Sequence, residues 1–124
     1  MNKNKLILVV DDDVDILNVV SDFLTDEGHS VLTVNNGEDA LKKVKEHKID
    51  LAILDISMPR MTGIEAVIRM KEIQPALEAV MITAFRNPEI IKDALNAGAL
   101  DIVFKPFDLK DLRHAVHKAL NKNK

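Results

Sequence analysis

Short apolar segments and amphipathic helical segments alternate five times along the 124 residues of the chain. The apolar segments predict strands at residues 6–10, 30–34, 51–55, 79–83 and 100–104. Because parallel strands need crossover connections, five strand–helix units in one short chain predict a parallel sheet with helices on both faces. We expect an α/β, doubly wound, flavodoxin-like sheet with strand order 2-1-3-4-5, since a closed barrel needs eight such units.

Cap residues and apolar spacing delimit the helices that connect these strands. The first helix follows Asp13 and ends near Gly28, and Asn36 caps the second. The third closes near Gln74, and the fourth starts at Asn87. Asp108 caps the last helix, which runs to Leu120. We expect residues 1–124 to form one domain, with residues 121–124 as a frayed tail.

Composition excludes several classes of function. The chain has no cysteine, so disulfides and thiolate metal sites are ruled out. A net charge of -3 argues against nucleic acid as a direct partner. No apolar run reaches the length of a membrane span, and the amino terminus lacks the apolar segment of a signal peptide. We therefore expect a cytoplasmic protein that binds neither nucleic acid nor a membrane.

Four of the five predicted strands end in a group that can do chemistry. These groups are Asp11 and Asp12, Asp55, Thr83 and Lys105. The carboxyl ends of parallel strands lie along one edge of the sheet, so we expect these side chains to converge there. Three carboxylates about 5 Å apart repel by roughly 3 kcal/mol per pair at an effective dielectric near 20, and a cation would relieve that repulsion.

The chemistry of these side chains narrows the function. Their ligand atoms are all oxygen, which favours Mg²⁺, with Mn²⁺ as a second choice. One divalent ion and Lys105 would balance the three carboxylates. A carboxylate nucleophile, a metal, a lysine and a hydroxyl are the recurring parts of phosphoryl transfer.

The motifs at these positions resemble those of the receiver domain of two-component response regulators. The resemblance covers essentially the whole chain and is carried by residues 8–13, 54–63, 83–84 and 105–107. It implies that Asp55 accepts a phosphoryl group while Thr83 and Lys105 contact the phosphoryl oxygens. It also implies a metal site formed by Asp12 as a direct ligand, Asp11 through water, Asp55, and Ser57 through its backbone carbonyl. The Lys105–Pro106 peptide bond would be cis.

The resemblance also implies partners and a signalling role. The phosphoryl donor would be a histidine kinase or a histidine phosphotransfer protein of a two-component system or phosphorelay. The output would be altered binding to a downstream protein target or effector domain. The domain would be a monomer or a weak, phosphorylation-dependent dimer through helix 4, strand 5 and helix 5. It would be a phosphoprotein that takes up and loses its own phosphoryl group, and not a turnover enzyme.

Two positions depart from the family pattern. Ile102 stands where the family has a switch aromatic, and Phe104 lies beside Lys105 on the other face of the strand, so we do not expect it to substitute. We therefore expect the conformational switch to run mainly through the loop from Thr83 to Asn87. Asp13 is a fourth acid, and it is expected only to cap the first helix.

Other functions remain open at this stage. Asp11 and Asp13 have the Asp-x-Asp spacing of a haloacid dehalogenase-type phosphatase with an aspartate nucleophile, although that reading leaves Asp55 unexplained. A flavodoxin-like nucleotide-binding module would require a glycine-rich phosphate loop, which the chain lacks. A plain interaction module would show no metal dependence. The histidines, which are predicted to be surface residues, are His29, His47, His114 and His117.

Overall fold

The computed structural model describes residues 5–121. Its five strands are β1 (Leu6–Val10), β2 (Ser30–Val34), β3 (Leu51–Asp55), β4 (Glu78–Thr83) and β5 (Asp101–Phe104). Its five helices are α1 (Val14–Asp26), α2 (Gly37–Glu46), α3 (Gly63–Ile73), α4 (Pro88–Asn96) and α5 (Leu109–Leu120). The expected tail beyond Asn121 lies outside the described residues.

All five strands are parallel and lie in the order β2-β1-β3-β4-β5, which confirms the predicted fold class. β3 is in the centre and is buried along its whole length. β2, in which no residue is buried, is at one edge, and β5 is at the other. This order places the carboxyl ends of β1 and β3 side by side at the point where the chain reverses its direction of winding.

Two apolar cores cover the two faces of the sheet. Successive strand residues point to opposite faces, so Ile7 and Val9 pack with α1 and α5, and Leu8 and Val10 pack with α2, α3 and α4. α4 is the least embedded helix, because Ala94 is its one buried residue. The fourth helix is therefore held to the sheet by less apolar contact than the other four.

Polar caps start the helices where the sequence predicts. The side chains of Asp13, Asn36, Asn87 and Asp108 each accept a hydrogen bond from a backbone N–H in the first turn. α3 begins with a capping box between Thr62 and Glu65, which the sequence reading did not single out. The first and fourth helices are each followed by a glycine with positive φ, at Gly28 and Gly98.

Three predictions differ in detail from the structure. β4 starts one residue earlier than predicted, because Glu78 pairs with Leu51 of the central strand. β5 starts one residue later, at Asp101, whose carboxylate accepts a hydrogen bond from the next backbone N–H. His29, predicted to be a surface residue, is only partly exposed and its Nδ1 atom is buried, whereas the other three histidines are exposed as predicted. Within residues 5–121 no helix is long and apolar enough to cross a membrane.

Candidate functional site

The predicted site residues meet at the carboxyl edge of four adjacent strands. Asp11 follows β1, Asp55 ends β3, Thr83 ends β4 and Lys105 follows β5. The side chains of Asp11, Asp55 and Thr83 are buried. Carboxylates such as those of the two acids are almost never buried unless they are paired. Burial of two acids at one edge therefore requires a compensating positive charge nearby.

Lys105 supplies that charge by bridging the two buried acids. Its Nζ atom lies 3.0 Å from Oδ2 of Asp11 and 3.2 Å from Oδ2 of Asp55. The lysine follows β5, Asp11 follows β1 and Asp55 ends β3, so groups from three strand ends meet at one point. The convergence expected from the strand ends is present in the structure.

Backbone donors hold the other oxygen of each carboxylate. Oδ1 of Asp11 accepts a hydrogen bond from the Asp13 N–H at 2.9 Å. Oδ1 of Asp55 accepts one from the Ser57 N–H at 3.2 Å. Each acid is thus oriented by its own following loop, and its Oδ2 atom is directed to Lys105.

The pKa of Asp11 and that of Lys105 are both raised, for different reasons. Burial raises the pKa of Asp11, and the hydrogen bonds from Asp13 and Lys105 offset this only in part. Burial acts to lower the pKa of Lys105, but the hydrogen bond to Asp11 and the charges of both acids outweigh it. Burial acts in opposite directions on the two pKa values because it disfavours the charged form, which is the deprotonated form of Asp11 and the protonated form of Lys105. Lys105 is therefore a stable cation, and Asp11 carries a charge that a further cation would relieve.

Three carboxylates are arranged as a group that could hold a metal ion. Asp11, Asp12 and Asp55 each offer an oxygen, and these oxygens lie within 4.8 Å of one another. Asp12 is exposed at the mouth of the site. An all-oxygen set with two buried acids suits Mg²⁺ or Mn²⁺. The residues present therefore fit the metal that the sequence predicts.

Asp13 and Ser57 have local backbone contacts in the structure. The Asp13 carboxylate accepts the Asp15 N–H at 2.9 Å and caps α1, as predicted, and it is outside the metal group. The Ser57 side chain is exposed, and its backbone N–H is the donor to Asp55. The role of the Ser57 carbonyl as a metal ligand stays a prediction. The Lys105–Pro106 peptide bond is cis, as expected.

Thr83 connects the site to the segment after β4. Its hydroxyl oxygen accepts a hydrogen bond from the Phe85 N–H at 3.1 Å, and its carbonyl accepts one from the Lys105 N–H at 2.7 Å. A hydroxyl that accepts one bond still has a hydrogen to donate. Thr83 can therefore donate to a group on Asp55 while it holds the following loop.

Gly63 is a site position that the sequence reading missed. It is the first residue of α3, and its N–H donates to the Ile56 carbonyl at 2.8 Å. A β-carbon at this position would collide with the backbone carbonyl oxygen of Asp55. The signal in the sequence is the Thr62–Gly63 pair at a helix start, which indicates close backbone approach only once the fold is known.

Known proteins resemble this chain in sequence and in structure. The profile of the response regulator receiver domain matches residues 7–117. The transcriptional regulatory protein ZraR of Salmonella typhimurium is 40% identical over 114 residues, which are 92% of this chain and 26% of ZraR. The chemotaxis protein CheY of Bacillus subtilis is 37% identical over 116 residues, covering 93% of this chain and 97% of CheY. A CheY-like receiver domain protein from Methanospirillum hungatei JF-1 has a TM-score of 0.92 at 31% identity, covering 97% of this chain and 96% of that one.

These similarities decide between the functions left open by the sequence. The chain spans about a quarter of the length of ZraR and almost all of CheY. The comparisons give no support to the phosphatase alternative. The structure adds a physical reason, because the second acid of the phosphatase pattern, Asp13, is used to cap a helix.

Proposed function

The chain belongs to the response regulator receiver domain family, and we propose that Asp55 is its phosphoacceptor in two-component or phosphorelay signalling. One observation carries this assignment: Lys105 bridges Asp55 to Asp11 at the carboxyl edge of the central strands. Asp55 is the acid of the bridge that ends the central strand, where ligands bind in open α/β sheets.

The transfer step uses a carboxylate oxygen of Asp55 as the nucleophile. The oxygen attacks the phosphorus of the donor, a new O–P bond forms, and the bond from phosphorus to the donor nitrogen breaks. The donor is the phosphohistidine of a kinase or phosphotransfer protein, and its imidazole leaves with the electron pair of the broken bond. The product is an acyl phosphate on Asp55.

Lys105 and Thr83 stabilise the transferred group. The Lys105 ammonium already contacts Asp55 and would balance negative charge on the phosphoryl oxygens. The Thr83 hydroxyl, at the end of the neighbouring strand, would donate a hydrogen bond to one of them. Both residues act as hydrogen-bond donors, and neither exchanges a proton with the substrate.

A divalent cation would be held by Asp12 directly, Asp11 through water, Asp55, and the Ser57 backbone carbonyl. When bound, it would supply positive charge that offsets the charge of the carboxylates and of the incoming phosphoryl group. Support for this set comes from the oxygen atoms of the three acids, which lie within 4.8 Å of one another. The charge count also supports it, because three carboxylates and one ammonium leave a net charge that one Mg²⁺ would cancel.

The signal would leave the domain through its own surface. Thr83 and Lys105 lead directly into α4, β5 and α5, so this face is the proposed binding surface for a downstream target, an effector domain or a second copy. The protein would not turn over a substrate, since the phosphoryl group that it takes up and later loses is carried on its own side chain. The cytoplasmic location expected from the sequence stays a prediction.

Phosphotransfer tests this function at the level of the whole reaction. The protein is incubated with the purified phosphorylated histidine kinases of its host, in Mg²⁺ and in EDTA, and the label on each protein is followed in time. We expect one kinase to transfer rapidly to the wild type in Mg²⁺ and not to Asp55→Asn. Transfer that is unaffected by EDTA, or that persists in Asp55→Asn, would contradict the proposal.

A further inference from the structure

Arg86 and Phe104 form a contact beside the site that phosphoryl transfer does not use. The guanidinium carbon of Arg86 lies 4.3 Å from the centroid of the Phe104 ring. Arg86 is in the loop of residues 84–87, here called the β4–α4 loop, and Phe104 is the last residue of β5. A guanidinium over an aromatic face at this distance is an attractive cation–π pair. The stack therefore ties the loop to the edge strand.

The same loop is tied to the site through the preceding residue. The Phe85 N–H donates to the hydroxyl oxygen of Thr83 at 3.1 Å. Asn87 then caps α4 by accepting from the Glu89 and Ile90 N–H groups. Three consecutive loop residues are thus each held, the first of them by a group that would meet the phosphoryl oxygens. A shift of Thr83 would be passed to Arg86 within two residues.

The β4–α4 loop lies beside an open groove and has few anchoring contacts. A groove of about 340 Å³ lies along the edge strand, bounded by Arg86, Ile102, Phe104, Pro106 and His114 among others. Phe85 is 52% exposed, so it is not anchored by burial of its ring. α4, into which the loop leads, buries only Ala94. The stack and the hydrogen bond to Thr83 are therefore the main contacts that hold this loop, since Phe85 and Arg86 are otherwise exposed.

We propose that Arg86 and Phe104 are positioning residues that couple the state of Asp55 to the β4–α4 loop. This inference rests on the proposed function. In the arrangement seen here, Lys105 pairs with unmodified Asp55 and the stack is closed. When the Thr83 hydroxyl turns to donate to a phosphoryl oxygen, its oxygen still accepts the Phe85 N–H, so the loop shifts with it and Arg86 leaves the ring. In this chain, Arg86 and Phe104 would provide the coupling that the family's switch aromatic, replaced here by Ile102, would otherwise provide.

Thermodynamic linkage gives the direction of the effect. A contact present only in the unphosphorylated arrangement opposes the phosphorylated one by its own free energy. Loss of an exposed cation–π pair should therefore favour the phosphorylated arrangement by about two- to fivefold. The same loss should loosen the loop in the unmodified protein by a similar factor.

The test compares six proteins by NMR. Wild type, Arg86→Ala, Phe104→Leu and the double variant are titrated with beryllofluoride in Mg²⁺, and hydrogen exchange of the Phe85 amide is measured without the analogue. Phe104→Tyr keeps an aromatic ring and serves as the conservative variant. Arg113→Ala is the matched control, because Arg113 lies 5.3 Å from the Phe23 ring of α1 and makes no contact of this kind with the β4–α4 loop.

We expect each single variant to bind beryllofluoride about two- to fivefold more tightly and to exchange faster at Phe85, by a similar factor. The double variant should show no further gain, because both changes remove one interaction. Phe104→Tyr and Arg113→Ala should match the wild type. Wild-type affinity in Arg86→Ala and Phe104→Leu, or effects that add in the double variant, would overturn the coupling while leaving the proposed function in place. Failure of the wild type to bind beryllofluoride would overturn both the coupling and the proposed function, even if hydrogen exchange of the Phe85 amide were faster in Arg86→Ala.

Discussion

The Nζ atom of Lys105 lies 3.2 Å from Oδ2 of Asp55, although 50 residues separate the two in sequence. The same ammonium reaches Asp11, 94 residues away, at 3.0 Å. Pairing of the parallel strands side by side brings these side chains together, so the sheet creates the site. The ion pairs are largely shielded from solvent, which makes them stronger than exposed pairs and costly to break by removing one partner.

Replacement of Lys105 by methionine should destabilise the protein and impair phosphorylation. The variant keeps the length of the side chain but leaves two buried carboxylates without their cation. In EDTA we expect a loss of about 1–3 kcal/mol in the free energy of unfolding, less than for a fully buried pair because Lys105 keeps some exposure. Mg²⁺ should still bind and should stabilise this variant more than the wild type. Urea unfolding with and without Mg²⁺ measures both effects, and equal stability of the two proteins would show that Lys105 is only a surface charge.

Asp12→Ala and Asp13→Ala should have opposite profiles. Asp12 belongs to the acid cluster, so its loss should weaken Mg²⁺ binding about tenfold or more, with little effect on unfolding in EDTA. Asp13 caps α1, so its loss should cost about 0.5–2 kcal/mol of stability and leave Mg²⁺ affinity nearly unchanged. Calorimetric titration with Mg²⁺ and urea unfolding separate the two. Equal losses of Mg²⁺ affinity in both variants would show that the acidic run has been misread.

Gly63→Ala should displace the backbone of Asp55. The added methyl group would meet the Asp55 carbonyl oxygen, which cannot move without moving the phosphoacceptor. We expect about 1–3 kcal/mol of destabilisation and slower phosphorylation by a small acyl-phosphate donor. Gly37→Ala is the matched control, since Gly37 also begins a helix but faces the flexible side chain of Met61. Similar losses in the two variants would contradict the close approach at Gly63.

The raised pKa of Asp11 predicts a pH-dependent stability without metal. A carboxyl whose pKa is higher in the native than in the unfolded state binds protons more strongly when folded, so stability falls as pH rises through that range. Relative to Asp11→Asn, the wild type in EDTA should therefore lose stability as pH rises from acid to neutral. The asparagine can still accept the Asp13 N–H, so the comparison isolates the charge. In saturating Mg²⁺ the trend should reverse, because the ion binds the deprotonated acids. Parallel pH profiles in EDTA would contradict this.

The sheet and the charged site can both be predicted from the sequence, because the apolar runs define the strands and the site residues stand at their ends. Asp11, Asp55, Thr83 and Lys105 each stand at the end of an apolar run, and parallel strands place such ends together. The Arg86–Phe104 stack does not follow, because it depends on the conformation of a loop and on two side-chain rotamers.

Chemical mapping of the phosphoryl group gives the sharpest test of the role of Asp55. The protein is phosphorylated with a small acyl-phosphate donor in Mg²⁺, reduced with borohydride to convert an aspartyl phosphate to homoserine, and digested for tandem mass spectrometry. We predict homoserine at Asp55 in the wild type and at no position in Asp55→Asn. Homoserine at Asp11, Asp12 or Asp13, or an unmodified Asp55 in a protein that carries phosphate, would contradict the assignment.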